Sequence, residues 1–185
     1  MARVPYLNRS QLAPEDQELL ARVINLNRAL VNSPGGARNF SRLGGYIRSR
    51  SPLNPRLREM AILQVGYLVR SEYEYSHHIK IGREFGVSDD DIRAIAAETA
   101  GTASSLAPLD RAVLRAAREM TSELAVRPET WAELAAGLNN QELVDLVLTI
   151  SFYNGVVRLL ASLQIDVEDE YLHYLEEFPL PTAMA

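Results

Sequence analysis

Cysteine is absent from all 185 residues of the chain. Without a thiol the protein can form no disulfide, no thiolate nucleophile and no cysteine-ligated zinc or iron–sulfur site. Histidine is scarce, with only three residues. The composition therefore excludes a thiol-dependent peroxidase, and any imidazole chemistry has few places in which to occur.

Long runs of like charge are also missing, although the chain carries 19 basic and 24 acidic side chains and a net charge of -5. Nucleic acids and anionic membranes attract basic patches, so we expect neither as a partner. The first 17 residues hold no apolar core of signal-peptide length, and no stretch approaches the roughly 18 apolar residues of a membrane span. We expect a cytoplasmic protein.

What the sequence does have is apolar residues, 47% of the chain, enough to bury one substantial core. They recur at spacings of three and four, which predicts an all-α fold and a single domain over residues 1–185. Prolines in first turns and Gly86 at a helix end set the boundaries. The helices are predicted at about 13–31, 37–49, 55–70, 71–86, from Ser88 onward, 108–124, 128–136 and 141–163, with residues 167–178 against the outside of the bundle.

Two of these helices, 55–70 and 141–163, are apolar around much of their circumference. The first is expected at the centre of the bundle, because an element packed on several sides needs apolar residues on several sides. We do not expect one chain of this length to bury the apolar surface of both helices, so we expect a homo-oligomer, anything from dimer to hexamer.

Residues 71–78 crowd carboxylates, phenols and two of the three histidines into one helix start. Glu74 and His78 are four apart and share a face. A carboxylate beside an imidazole fixes its tautomer and raises its proton affinity, as a general acid or base requires. The same spacing is also common on solvated helix faces, so the pair alone leaves both interpretations open.

The neighbouring residues carry weaker signals. His77 points about 100° away from His78, so the two histidines alone do not form a metal site, although Glu59, Glu74 and His78 together remain a possible ligand set. Glu59 is expected to be an exposed partner of Arg56, with a buried acid of raised pKa as the alternative. Tyr73 and Tyr75 are two residues apart and face different directions, so one of them is expected to pack in the core rather than take part in chemistry.

Polar residues also interrupt the long helix 141–163. Asn154 and Arg158 lie four apart on one face, and buried polar groups of this kind need hydrogen-bond partners. The guanidinium is equally suited to hold a substrate carboxylate or to form a salt bridge between subunits.

These features, taken in order, resemble the carboxymuconolactone decarboxylase-like family. The segment SPLNPRLREMAIL, residues 51–63, is similar to the entry of the family's central helix, and EYEYSHH, residues 72–78, to the signature of its next helix. The segments GVSDDDI, residues 86–92, and FYN, residues 152–154, also fit. The resemblance covers about residues 40–165, with extensions at both ends, and implies the alkylhydroperoxidase D-like helical fold.

The resemblance also suggests roles. In the alkylhydroperoxidase D branch, Glu59 and His78 match the family's glutamate and histidine, while Ser71 and Glu74 stand where the two cysteines would be. In the decarboxylases, Glu74 and His78 reproduce a Glu-x-x-x-His element. This implies loss of carbon dioxide from a small lactone acid, without cofactor or metal, at a site between subunits.

We therefore expect His78 to donate a proton, Glu74 to orient it and Glu59 to be a second acid. Tyr73, Tyr75, Arg158 and Asn154 are predicted substrate contacts. An isomerase or hydrolase would use the same acid–base pair, and an oligomeric protein that binds a small molecule without turnover is an alternative of another class.

Overall fold

The computed structural model describes residues 2–182, and every element within that range is helical. The ends of the predicted 1–185 domain, residue 1 and residues 183–185, lie outside the described part. Nine α-helices follow two short 3-10 helices, Arg9–Gln11 and Pro14–Leu20. The α-helices are α1 Asn25–Leu30, α2 Pro34–Ser49, α3 Pro55–Leu68, α4 Glu72–Glu84, α5 Asp89–Thr99, α6 Pro108–Ser122, α7 Pro128–Gly137, α8 Asn140–Leu163 and α9 Asp169–Glu177.

Helix α3 lies at the centre, as its pattern predicts. Every residue from Leu57 to Tyr67 is buried, and the helix packs against α4, α5, α6 and α8. Asn54 begins α3 by accepting hydrogen bonds from two first-turn amides, and proline occupies the first helical position. A helix covered on all sides is held rigidly, so α3 is a firm support for any side chain it carries.

The turn between α3 and α4 brings their ends unusually close. A Cβ atom added at Gly66 would lie 3.2 Å from the backbone nitrogen of Tyr75, so a larger residue would force the two backbones apart by a few tenths of an ångström. Arg70 adopts a left-handed conformation, φ 54°, and the Ser71 amide donates to the carbonyl of Gly66. The start of α4, with its carboxylates and histidines, is thereby pressed against α3.

The prediction of one continuous helix over residues 13–31 is wrong. The chain forms a 3-10 helix, Pro14–Leu20, then an extended residue at Ile24, then α1. The break has a physical cause, because the amide of Asn25 is held by Glu168, 143 residues away, at 2.6 Å. A local pattern contains no signal for such a distant cap.

Helix α8 is long and apolar enough to span a membrane, with a mean hydropathy of 1.6 in its most apolar window. No such segment was expected from the sequence. The buried residues of α8, among them Leu146, Ile150 and Tyr153, pack into the core of the bundle. Only 39% of that window is buried within the chain. The outward side of the helix carries the exposed Val144 together with Ser151, Gly155 and Arg158, while its inward side supplies apolar residues to the core.

Candidate active site

A buried imidazole between two carboxylates forms the centre of the candidate site. Glu59 projects from α3, and Glu74 and His78 project from the adjoining α4. The Nδ1 atom of His78 lies 2.6 Å from Oε2 of Glu59, within hydrogen-bonding distance. All three side chains are nearly inaccessible, with exposed fractions of 1% for Glu59, 3% for Glu74 and 5% for His78. The close approach of α4 to α3 at Gly66 makes the contact possible.

The other side of the ring meets Glu74. Its Oε1 atom is 2.9 Å from Nε2 of His78, an ion-pair distance, but Oε1 has no hydrogen-bond partner among residues 2–182. The contact is therefore a charge contact, in contrast to the hydrogen bond at Nδ1. A proton on Nε2 is attracted to Glu74 without being fully engaged by it.

Arg58 extends this row of charges away from the ring. Its Nε atom donates to Oε1 of Glu59 at 2.9 Å, and Nη1 donates to the carbonyl of Arg48. The guanidinium also stacks over the ring of Phe85, 4.5 Å from the centroid. Arg58, Glu59, His78 and Glu74 thus alternate in sign, which lets four buried ionisable groups coexist.

The protonation states follow from this arrangement. Burial alone would lower the pKa of His78, but the negative charges of Glu74 and Glu59 outweigh it and raise the pKa to about 9. Burial would raise the pKa of Glu59, yet the charges of His78 and Arg58 hold it below its ordinary value. At neutral pH the imidazole of His78 therefore carries a proton on both ring nitrogens, a state suited to donating a proton.

Neither expectation for Glu59 describes its surroundings. It is buried rather than exposed, and its pKa is lowered rather than raised. Arg56, its expected partner, instead pairs with Asp91 and Asp110, with hydrogen bonds of 3.0 Å and 3.1 Å. The error arose because sequence spacing shows which face of α3 carries Glu59 but not which helix covers that face.

A cavity of about 250 Å³ opens beside His78 and Glu74. It lies between α2, α4, α8 and the segment before α1. Its apolar wall includes the aromatic rings of α2 and α8, while Ser41, Gly44 and Gly45 of α2 leave space at one side. The main apolar lining residues are Ile24, Leu26, Phe40, Ile81, Phe152, Tyr153 and Val156.

Two arginines face this cavity without an acidic partner. Arg22 precedes α1 and Arg48 lies near the end of α2, and both are half-buried. No carboxylate within residues 2–182 forms an ion pair with either of them. A half-buried guanidinium without a counterion favours an anion in the adjoining space.

Tyr153 lies next to the imidazole on the cavity wall. Its ring meets the His78 ring edge-on, with centroids 5.0 Å apart. Burial raises the pKa of the phenol, and the negative charges of Glu74 and Glu59 raise it further, so the hydroxyl keeps its proton. In the described part of the chain no group is hydrogen-bonded to this hydroxyl.

His77 also borders the cavity but belongs to a different cluster. Its ring is stacked between those of Tyr73 and Tyr171, and its Nε2 atom lies 2.8 Å from Glu168. Burial lowers the pKa of His77 despite this carboxylate. The carboxylate of Glu168 also accepts from the hydroxyl of Tyr73 and the amide of Asn25. This Glu168 cluster ties α4 to both ends of the chain.

The structure brings some of the predicted site residues together and not others. Tyr73 borders the cavity, but Glu168 engages its hydroxyl. Tyr75 packs against Tyr67 in the core, away from the cavity. Asn154 donates to Thr121, and Arg158 donates to Asn154 beside a separate surface groove. Tyr75, Asn154 and Arg158 do not line this cavity, and their roles as substrate contacts remain predictions.

Several residues that line the cavity were not identified from the sequence. Phe40, Gly44 and Arg48 are spaced by four on α2, so their common face was readable, but nothing indicated that it borders His78. Tyr153 stands beside the Asn154 that was chosen instead. Arg22 lies in the break that the helical pattern concealed. For the suggested metal set, no three His, Asp or Glu side chains of residues 2–182 are arranged to hold one ion.

Comparisons with known proteins agree with this architecture. Residues 34–119, which contain Glu59, Glu74 and His78, match the Carboxymuconolactone decarboxylase family. No curated protein matches the chain by sequence.

Solved structures extend the similarity to nearly the whole chain. An alkylhydroperoxidase AhpD core, an uncharacterized peroxidase-related protein from Ralstonia eutropha JMP134, has 17% identity and a TM-score of 0.79, with 97% of this chain and 98% of that chain covered. A peroxidase-related protein from Silicibacter sp. TM1040 has 18% identity and a TM-score of 0.72, with 92% and 97% covered.

The debrominase Bmp8, solved in complex with 2,3,4-tribromopyrrole, has 20% identity and a TM-score of 0.80, with 96% and 98% covered. Likeness at these identities concerns the fold alone. The family match, the all-helical AhpD-like fold and the glutamate and histidine at the centre of the site agree with one another. This cysteine-free chain thus matches the Carboxymuconolactone decarboxylase family over residues 34–119 and has the AhpD-like fold.

Proposed function

We propose that this protein is a cofactor-free lyase that removes carbon dioxide from a small unsaturated acid, with His78 as the proton donor. One observation carries the proposal: an imidazole held between the carboxylates of Glu59 and Glu74 borders a cavity whose arginines have no acidic partner. A proton source and an anion-binding wall in one small space are the requirements of such a reaction.

The cavity sets the class of substrate. A volume of about 250 Å³ accommodates a small metabolite rather than a polymer. Phe40, Phe152 and Tyr153 offer aromatic surfaces that suit a flat, unsaturated molecule. Arg22 and Arg48 would neutralise its negative charge on entry.

The arginines should hold an anionic group other than the carboxylate that leaves. Decarboxylation moves negative charge off the carboxylate, so a guanidinium bound to it would stabilise the ground state more than the transition state. The leaving carboxylate is better placed against the apolar wall near Phe152 and Val156, where desolvation favours the loss of its charge. The substrate therefore carries a second anionic group.

The reaction balances with a single proton. The bond between the carboxylate carbon and its neighbour breaks, and the electron pair moves into the adjoining π system to give a dienolate. The dienolate carbon takes the proton from Nε2 of His78, carbon dioxide leaves, and water restores the proton to the ring. No oxidant or reductant is needed.

The two carboxylates have different roles in this mechanism. Glu59 holds Nδ1 by a hydrogen bond and is shielded behind the ring, so it positions the imidazole and does not touch the substrate. Glu74 borders the cavity and stabilises the imidazolium through its charge. The role first expected for Glu74, to orient the ring, thus belongs mainly to Glu59.

The test is carbon dioxide release from a panel of small lactone acids and β-keto acids, with the purified chain and no added metal or cofactor. Wild type should release carbon dioxide from at least one member, and His78→Gln should lower kcat about 100-fold or more, the usual size of a general-acid contribution. His173→Gln provides the matched control, because this histidine is exposed on α9.

Equal rates in wild type and His78→Gln would contradict the proposed role of His78. Absence of release from every member, together with binding of small anions such as benzoate, would instead indicate a binding protein or another proton-transfer enzyme on the same scaffold.

A further inference from the structure

The proposed reaction leaves one chemical need unmet by the groups already given roles. Charge develops on an oxygen of the substrate when the dienolate forms, and that oxygen requires a hydrogen-bond donor. His78 delivers its proton to carbon, and the guanidinium groups of Arg22 and Arg48 anchor the anionic group. A further donor on the cavity wall would meet this need.

Among the tyrosines near the site, only one has an available hydroxyl. Tyr73 borders the cavity, but its hydroxyl already donates to Glu168 and accepts from the amide of Leu26. The hydroxyl of Tyr46 is bound to Asp145 from α8. Tyr153 borders the cavity, and among residues 2–182 its hydroxyl has no hydrogen-bond partner.

We propose that Tyr153 is a catalytic residue that donates a hydrogen bond to the substrate oxygen on which negative charge develops. Its ring lies edge-on to His78, 5.0 Å away, so a substrate within reach of the imidazole is also within reach of the phenol. The aromatic contact with Phe152, centroids 5.4 Å apart, fixes the ring in place. A donor held in position before the reaction does not have to reorganise during it.

The surroundings also determine that this phenol donates and does not ionise. Glu74 and Glu59 place negative charge near Tyr153, which disfavours a phenolate. A hydroxyl that stays neutral keeps its proton available for donation to a hydrogen bond. The positive charge of His78 adds to the stabilisation of any oxyanion bound there.

This inference rests on the proposed function, but a binding probe tests it without turnover. The probe is 4-nitrophenol, a flat ring whose oxygen becomes an anion near neutral pH and whose ionisation changes its visible absorbance. Wild type should bind it as the phenolate and lower its apparent pKa. Tyr153→Phe should weaken phenolate binding about 10-fold or more, since a hydrogen bond to a charged group contributes about 1.5–3 kcal/mol.

Tyr67→Phe is the control, because Tyr67 is buried and remote from the cavity. It should bind the phenolate as wild type does, and melting curves should show all three proteins folded. With an acid that is turned over, Tyr153→Phe should lower kcat and change KM little, since the hydrogen bond strengthens only as charge develops.

Unchanged phenolate affinity in Tyr153→Phe, or no phenolate binding by wild type, would overturn the inference. The outcomes also separate the two proposals. If Tyr153 contributes to phenolate binding but no acid releases carbon dioxide, the proposed lyase activity is contradicted and the role of Tyr153 as a hydrogen-bond donor stands. If carbon dioxide is released equally by wild type and Tyr153→Phe, the lyase activity stands and the role of Tyr153 as a donor is contradicted.

Discussion

At the scale of single residues, the unusual property of this protein is a row of buried charges. Arg58, Glu59, His78 and Glu74 have exposed fractions of 5% or less. Removing charged groups from water costs several kcal/mol for each group unless neighbours of opposite sign compensate. Such a row is a weak source of stability, so its presence beside a cavity points to a chemical role.

Folding stability should depend on pH through His78. Its pKa rises from 6.5 to about 9 on folding, so its stabilising contribution is complete below about pH 6.5 and is lost as pH rises through about 9. At about 1.4 kcal/mol for each pKa unit, that contribution is on the order of 3 kcal/mol. Denaturant unfolding should show wild type more stable than His78→Gln near pH 6.5, with the difference shrinking toward pH 10.

A difference between wild type and His78→Gln that stays constant over this range would show that the ring is neutral in the folded protein. His173→Gln is the control for the loss of an imidazole, because this residue is exposed on α9.

Arg48→Met should weaken the binding of a small anion. Arg48 borders the cavity without an acidic partner, so its charge is available to a ligand. A charge-assisted hydrogen bond contributes about 1.5–3 kcal/mol, which predicts roughly a 10-fold or greater loss of affinity for benzoate. Calorimetric titration measures it. Arg42→Met, on the exposed side of α2, is the control, and an equal loss in both variants would reduce the effect to general charge.

At the scale of elements, the site depends on how closely α4 approaches α3. The two backbones come close at Gly66, where the Tyr75 nitrogen would lie 3.2 Å from an added Cβ. Because the near neighbour is backbone, rotation of a side chain cannot relieve this contact. A larger residue at position 66 should therefore change the spacing of the two helices that carry Glu59 and His78.

Gly66→Ala should destabilise the fold by about 1–3 kcal/mol, the usual cost of overpacking, although alanine favours helices. The closest control is Gly45→Ala on α2, where an added Cβ meets nothing within 4 Å and should stabilise by up to about 1 kcal/mol. Thermal and urea unfolding of both variants measure the difference. A stabilised Gly66→Ala would mean that the two helices can separate without cost.

How much of this could be predicted from the sequence depends on the range of the interaction. Helices α2 to α8 were predicted to within a few residues, because caps, prolines and apolar spacing are local. The Glu74–His78 pair was found for the same reason. Contacts made across the fold were missed: the hydrogen bond from His78 to Glu59, Arg48 on the cavity wall, and the cap on Asn25 that divides the first predicted helix.

Glu168→Gln should loosen the segment that closes the cavity. The carboxylate accepts from Tyr73 and Asn25 and contacts His77, so the amide variant loses charge and part of its accepting capacity. We expect a loss of about 1–3 kcal/mol in the protection of the Asn25 amide, measured by hydrogen exchange. Glu170→Gln, exposed on α9, should leave this amide protected. Equal protection in both variants would contradict the role of Glu168 as a tie.

At the scale of the whole molecule, the two helices that suggested self-association behave differently. Helix α3 is covered entirely by its own chain. Helix α8 is not, since it leaves Val144 63% exposed and less than half of its most apolar window is buried. The case for an oligomer therefore now rests on α8 alone.

We propose that the exposed face of α8 pairs with another copy of the chain. Sedimentation should then give a mass above the 20.6 kDa of one chain at micromolar concentration, and Val144→Glu should lower it by placing a charge in the contact. Leu124→Glu changes an equally apolar residue, 87% exposed, elsewhere on the surface and should have no effect. A monomeric wild type would contradict the proposal.

The Glu168 cluster also determines when the site can exist. Residues 22–27 form one wall of the cavity, yet Asn25 is held by Glu168, and the amide of Arg3 donates to the carbonyl of Leu163. Residues on this wall are therefore fixed by a residue that is synthesised 143 positions after Asn25. A nascent chain that has already formed α3 and α4 still lacks a closed cavity until Glu168 has been added and has folded back onto Asn25.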